Sequence, residues 1–237
     1  MNNLVIGAAI VILIIIVYYL AAGGGTSLST MQSAEIETVV PSSKLPTSES
    51  SNFTYSTWFF VRDWSDKYGM QKVILQRGSD ATSIGSGGIH KIYLGETENN
   101  MNIAVNYLPP SGNGTADPGT HICKVSNVPL QKWVNLIVSV YGRSMDVYID
   151  GKLIRTCVLP GPVMSPEPDA SISITPNGGF VGFTSQFVYW SSATNPSEAK
   201  AIYKKGYGGS VLGNLFNRYR MQLSFIKDGT EMTSFQI

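Results

Sequence analysis

Few side chains in this sequence are of the kinds that make and break bonds. The 237 residues hold two histidines, His90 and His121, two cysteines, Cys123 and Cys157, and 16 carboxylates. Hydrolysis of a glycosidic bond needs two carboxyl groups flanking it, about 5 to 5.5 Å apart in a retaining enzyme. Glu35 and Glu37 lie in a polar stretch, and Glu96 and Glu98 flank a turn, so both pairs read as solvated loop residues. The histidines show neither H-x-x-x-H nor Cys/His metal spacing, which argues against a zinc centre and against a nucleophile–base pair.

The two cysteines are too few for a disulfide framework. They form either one bridge or two independent small buried hydrophobes. Loop carboxylates Asp63, Asp66 and Asp117 have the oxygen chemistry for calcium, although ordinary solvated loop residues look the same. A sugar would be held by aromatics at an exposed rim, and Trp64, Tyr68 and Tyr107 are the candidates there, beside Asp117. Asn52-Phe53-Thr54 and Asn113-Gly114-Thr115 match the glycosylation sequon, which matters only in a lumenal domain.

Such residues need a scaffold, and its centre is Val128 to Pro160. Trp133 to Tyr141 places Val134, Leu136, Val138 and Val140 on one face and Trp133 and Ile137 on the other, the pattern of an interior strand. Met145 to Ile149 resumes the alternation after a Gly142-Arg143 turn. Asp150-Gly151 suits a two-residue hairpin loop, which needs positive φ at both positions. Counting outward sets Ile149 against Lys152, Val147 against Ile154 and Asp146 against Arg155 as an opposite-charge pair. Ile154 then shares the buried face with Met145, Val147 and Ile149, and Cys157 lies off it; a three-residue loop with a bulge would shift this register.

Trp133, Val138, Tyr141, Gly142, Val147, Tyr148, Ile149, Asp150 and Gly151 resemble the signature of LamG-like jelly rolls, the laminin-G and concanavalin A-like lectin/glucanase superfamily. Phe53 to Val61 and Lys72 to Leu75 are similar to its opening strands, and Ser171 to Thr175, Gly178 to Phe183 and Ser185 to Trp190 to its closing ones. The resemblance implies an all-β, antiparallel jelly-roll β-sandwich over residues 52–206, ending in a short helix. Asn195, Pro196, Glu198 and Gly206 have the types and spacing to cap that helix. The superfamily's glucanases carry an E-x-D-x-x-E run that this chain lacks, so the resemblance implies no enzyme. The strands Ile89 to Leu94 and Met101 to Leu108 precede Pro109 to Thr120, the longest irregular excursion and the expected ligand rim.

A charge of +1 with 14% charged residues and no basic run sets nucleic acid aside as a partner. Leu4 to Leu20 is uninterrupted and apolar, roughly 26 Å as a helix, and with Ala21-Ala22 it predicts one N-terminal transmembrane helix over residues 1–22. A cleaved signal is the rival, but it wants a basic start and a shorter apolar core. Residues 23–51, rich in Gly, Ser, Thr and Pro, read as a tether or stalk, within which Ile36 to Val40 can add a short strand. Residues 207–237 form a C-terminal extension in which an Asp228-Gly229 turn predicts a second hairpin, with Phe225 against Met232 and Leu223 against Ser234.

This layout resembles the membrane-anchored concanavalin A-like proteins of large icosahedral DNA viruses of algae and protists. The resemblance implies a single-pass minor capsid or virion membrane protein, linking the inner membrane to the capsid shell, with lipid and other virion proteins as partners and no cofactor. The alternative is a surface lectin that binds carbohydrate at the sandwich rim.

Overall fold

A computed structural model of the chain describes residues 27–46, 52–78, 89–109 and 118–208, together with the backbone of two C-terminal strands, 222–227 and 230–236. Leu4 to Leu20, Asn113, Asp117 and the Asp228-Gly229 turn lie outside these residues. Among the described residues no helix is long and apolar enough to cross a membrane.

Two six-stranded antiparallel sheets face each other. In the first the order is β1(Gln32–Ser33), β12(Gly182–Trp190), β3(Phe53–Val61), β8(Trp133–Tyr141), β9(Ser144–Ile149), β10(Lys152–Val158). In the second it is β2(Thr38–Val40), β11(Ile172–Ile174), β4(Lys72–Arg77), β5(His90–Leu94), β6(Met101–Tyr107), β7(Gly119–Val125). This is the expected jelly-roll sandwich. Period-two alternation puts Phe53, Tyr55, Phe59 and Val61 of β3 and Val134, Leu136, Val138 and Val140 of β8 into one core with Ile74, Ile92, Ile103 and Phe180. Each fully buried aliphatic side chain contributes about 1.5–3 kcal/mol.

Residues 27–46, expected to belong to a tether, are instead part of the sandwich. Leu28 N donates to Phe187 O at 2.8 Å, β1 pairs with β12, and β2 pairs with β11. Ala34 and Val40 are core residues, 0% and 2% exposed. β2 falls within Ile36 to Val40, the short strand expected there; the polar composition around Gln32–Ser33 conceals β1, because an edge strand needs only one inward residue in two or three to be fixed. The sandwich therefore begins near Leu28, not at residue 52.

The register of the central hairpin also differs from outward counting. Asp150 and Gly151 do take positive φ, 51° and 71°, and Ile149 does oppose Lys152. Beyond Leu153, however, a β-bulge at Ile154 shifts the ladder, so Val147 opposes Arg155, Asp146 opposes Thr156 and Met145 opposes Cys157. Asp146 thus accepts a hydrogen bond from Thr156 Oγ1 at 2.6 Å rather than pairing with Arg155. Ile154, expected inside, is 52% exposed. Because side chains alternate, one extra residue moves everything after it to the other face. Cys157 is turned inward and bonds Cys123 of β7, with Cα atoms 6.0 Å apart. Of the two readings of the cysteines, the bridge is the one that forms.

The outer face of the first sheet is covered by α1(Pro196–Lys205). Asn195 Oδ1 accepts from the Ser197 and Glu198 amides at 3.0 Å each, and Glu198 Oε2 accepts from Asn195 N at 3.1 Å, completing the expected capping box. Beneath the helix Ile137, Tyr148 and Ala199 form a second small core. Past it, Tyr207 stacks on Trp133 with centroids 4.7 Å apart, and its carbonyl accepts from Ser185 Oγ at 2.7 Å. The sandwich accordingly runs at least to Tyr207, just past the expected boundary at 206.

The C-terminal strands are β13(Gln222–Lys227) and β14(Thr230–Gln236). Lys227 opposes Thr230 as a two-residue loop requires. A further bulge then sets Phe225 against Thr233 and Leu223 against Phe235, one place away from the expected Met232 and Ser234.

Candidate ligand-binding face

Among the described residues α1 covers one sheet, and the outer face of the other is the broad surface left open. Strand register defines its rows: Lys91, Ala104 and Ile122 lie side by side, as do Tyr93, Asn102 and Lys124, with Asn106 beside Thr120. These are the residues between the core positions Ile92, Ile103 and Cys123, so the alternation that builds the core also presents this face.

Two shallow grooves meet at Gln71 and Tyr93. One, about 240 Å³, runs past Lys91, Ala104, Asn106 and Ile122. The other, about 220 Å³, is bounded by Glu96, Glu98, Asn102 and Lys124. Lys91 Nζ lies 5.4 Å from the Tyr93 ring centroid, a cation–π contact. Burial, and then the Glu96 carboxylate, push the Tyr93 phenol above its usual range. Glu98 takes a hydrogen bond from the Asn100 amide and an exposed ion pair with Lys124 at 3.7 Å, the latter worth little by itself. Asn106 is 1% exposed, and its Oδ1 has no hydrogen-bond partner among the described residues. A buried acceptor of that kind costs free energy until something donates to it.

The rim residues singled out from the sequence are not brought together here. Trp64 is half-buried, and its ring lies 4.6 Å from Nζ of Lys72. Lys72 is 0% exposed and donates to Lys67 O at 3.1 Å; burial draws its pKa below the usual lysine range. Trp64 thus shields a buried cation. Tyr68 is 65% exposed in the β3–β4 loop. Tyr107 packs on Gly119, where any added Cβ would collide with its ring. Asp63 spends Oδ1 on the Ser65 amide at 2.9 Å and hydroxyl at 2.7 Å, and those bonds hold its carboxyl below the usual range. Asn52 Oδ1 accepts from Gly142 N at 2.8 Å, while Thr54, the third sequon residue, is fully buried.

His90 is internal. It stacks on Phe53, its Nδ1 lies 2.8 Å from Tyr55 OH, and its Nε2 lies 3.2 Å from Met164 O. Those partners fix the neutral ring, with the proton on Nε2, and burial drags its pKa down to about 3. His121 sits on β7 opposite Val105. Among the described residues no three His, Cys, Asp or Glu side chains gather to hold a metal ion.

A family profile for the concanavalin A-like lectin/glucanases superfamily matches residues 32–200, starting at β1 rather than at residue 52. No curated protein is significantly similar in sequence. Among solved structures, the ligand-binding domain of botulinum neurotoxin serotype D in complex with N-acetylneuraminic acid aligns with TM-score 0.50 at 12% identity, over 78% of this chain and 44% of that one. The botulinum neurotoxin serotype G binding domain gives 0.49 at 13% identity, over 74% and 46%. A heptameric SAP-like pentraxin from Limulus polyphemus gives 0.42 at 12%, over 65% and 70%. At these identities the likeness is one of fold, and the chain spans less than half the length of either neurotoxin domain.

Proposed function

The chain belongs to the concanavalin A-like lectin/glucanases superfamily, and from that premise we propose that it is a non-enzymatic structural protein that holds its sandwich close to a bilayer. The observation that carries this reading is the position of Leu28, hydrogen-bonded to Phe187 only a few residues after the apolar run Leu4 to Leu20. A run of that length suits a membrane span, and the stretch left between residues 1–22 and the sandwich reaches roughly 17 Å at ~3.5 Å per residue. A domain so placed fits a link between an inner membrane and an overlying shell, as a minor capsid or virion membrane protein does. Liposome flotation of the full chain tests the attachment. Co-flotation is expected, with loss when residues 1–22 are removed; a full chain that stays at the bottom of the gradient overturns it. Cross-linking in intact particles then reports whether shell subunits are its neighbours.

A second reading, carbohydrate binding, is favoured by the orphaned Asn106 acceptor at one end of the groove that Lys91 and Tyr93 also line. A buried amide oxygen needs a donor such as a sugar hydroxyl, and an aromatic ring offers a sugar an apolar platform. Immobilised glycans retained by the folded chain would support it, and the open face rather than the loop rim is the surface to mutate.

A further inference from the structure

β10 is the anomalous strand of the sandwich. It is a seven-residue sheet edge with burial restricted to Cys157, and Leu153, Ile154 and Val158 are 47%, 52% and 70% exposed. A free edge of that length and apolarity invites another strand. The neighbouring edge, β7, is differently served, since Arg155 Nη1 reaches across and donates to Lys124 O at 2.8 Å. The remaining edges, β1 and β2, are two and three residues long.

The same chain also carries strands in need of a sheet. Among the described residues β13 and β14, six and seven residues long, pair only with each other, and a lone two-stranded hairpin is marginal in water. Its register sets Leu223, Phe225 and Phe235 on one face and Gln222, Ser224, Ser234 and Gln236 on the other, the pattern of a sheet with one covered face. The route is open. Gly151, in the β9–β10 turn, abuts Lys200 and Tyr203 of α1, and the chain then passes back over β8 and β12 to Tyr207. Residues 209–221 can span up to about 45 Å.

We infer that the C-terminal hairpin docks in cis on the β10 edge, extending the first sheet to eight strands and covering Leu153, Ile154 and Val158. Hydrogen–deuterium exchange on the full chain in detergent tests this. The β10 amides that do not bond β9 are expected to be protected, and to exchange at least tenfold faster when Leu223→Ser and Phe225→Ser disrupt the hairpin's apolar face, with the amides of β3 and β8 unchanged. Independently, Val158→Lys on β10 should speed exchange of the β13 and β14 amides. Free exchange of the β10 edge in the unaltered chain, or no response to either variant, overturns the proposal. Protection that disappears on dilution together with a drop from dimer to monomer mass overturns it too, since the hairpin would then belong to a neighbouring copy.

Discussion

Cys157 stands opposite Met145 on the core side of β10 because Ile154 is pushed out of the ladder, and from there its sulfur reaches Cys123 at the edge of the facing sheet. The bridge ties together β10 and β7, the two long edge strands of the sandwich. It closes a loop of 34 residues in sequence separation, which chain-entropy reasoning equates with roughly 3–4 kcal/mol. The Cys123→Ala, Cys157→Ala double variant should lose about that much stability in denaturant unfolding. A loss under ~1 kcal/mol would show that Arg155 and the core already hold the edges together.

The bulge itself has a sharp test. Deleting Ile154 removes the extra residue and leaves Arg155, Thr156 and Cys157 opposite the partners they have now. The variant should therefore keep its disulfide and show no titratable thiol under denaturing, non-reducing conditions. In an unbulged ladder the same deletion would turn Cys157 to the other face and release both thiols.

His90 makes stability depend on pH. Its folded pKa, about 3, lies below the ordinary value near 6.5, so between these pH values the unfolded chain binds more protons. By linkage, stability is full above pH ~6.5 and falls as pH drops toward ~3. Urea midpoints measured from pH 7 to pH 4 should fall, and His90→Gln, which cannot titrate, should flatten part of that slope. An unchanged slope would mean that the carboxylates alone account for it.

Asn195→Ala removes an N-cap that serves two amides and should cost about 1 kcal/mol, visible as a lower Tm. The effect should extend to the fluorescence of Trp58, whose ring stacks on Tyr203 of α1 at 5.5 Å.

On the open face, Tyr93→Ala should weaken retention on immobilised glycan by roughly tenfold, about 1.4 kcal/mol, without moving the Tm, because Tyr93 is half-exposed. Trp64→Ala should do the reverse, lowering the Tm by uncovering Lys72 while leaving retention intact. If Trp64 rather than Tyr93 governs retention, the rim is the binding surface.

Much of the fold was legible in the sequence because it is written locally. Alternation along Trp133–Tyr141 sets an interior strand, Asp150-Gly151 sets a turn through its positive φ, and the Asn195-to-Glu198 spacing sets a helix start. Each of these depends on neighbours within a few residues. The polar positions of β6, Asn102 and Asn106, were visible too, but nothing local distinguishes a solvated strand face from a binding one.

Tertiary structure alone decided the rest. A bulge is one residue of slack whose placement depends on what the strand must meet across the sandwich, so the Cys123–Cys157 bridge could not be counted from the turn. Likewise, outside Ile36 to Val40, residues 27–46 are polar enough to pass for a tether, and only the uncovered edge of β12 makes a strand of Gln32–Ser33. The sequence determined which segments alternate and where they turn; long-range pairing determined which face each residue occupies, and with it which surface remains open.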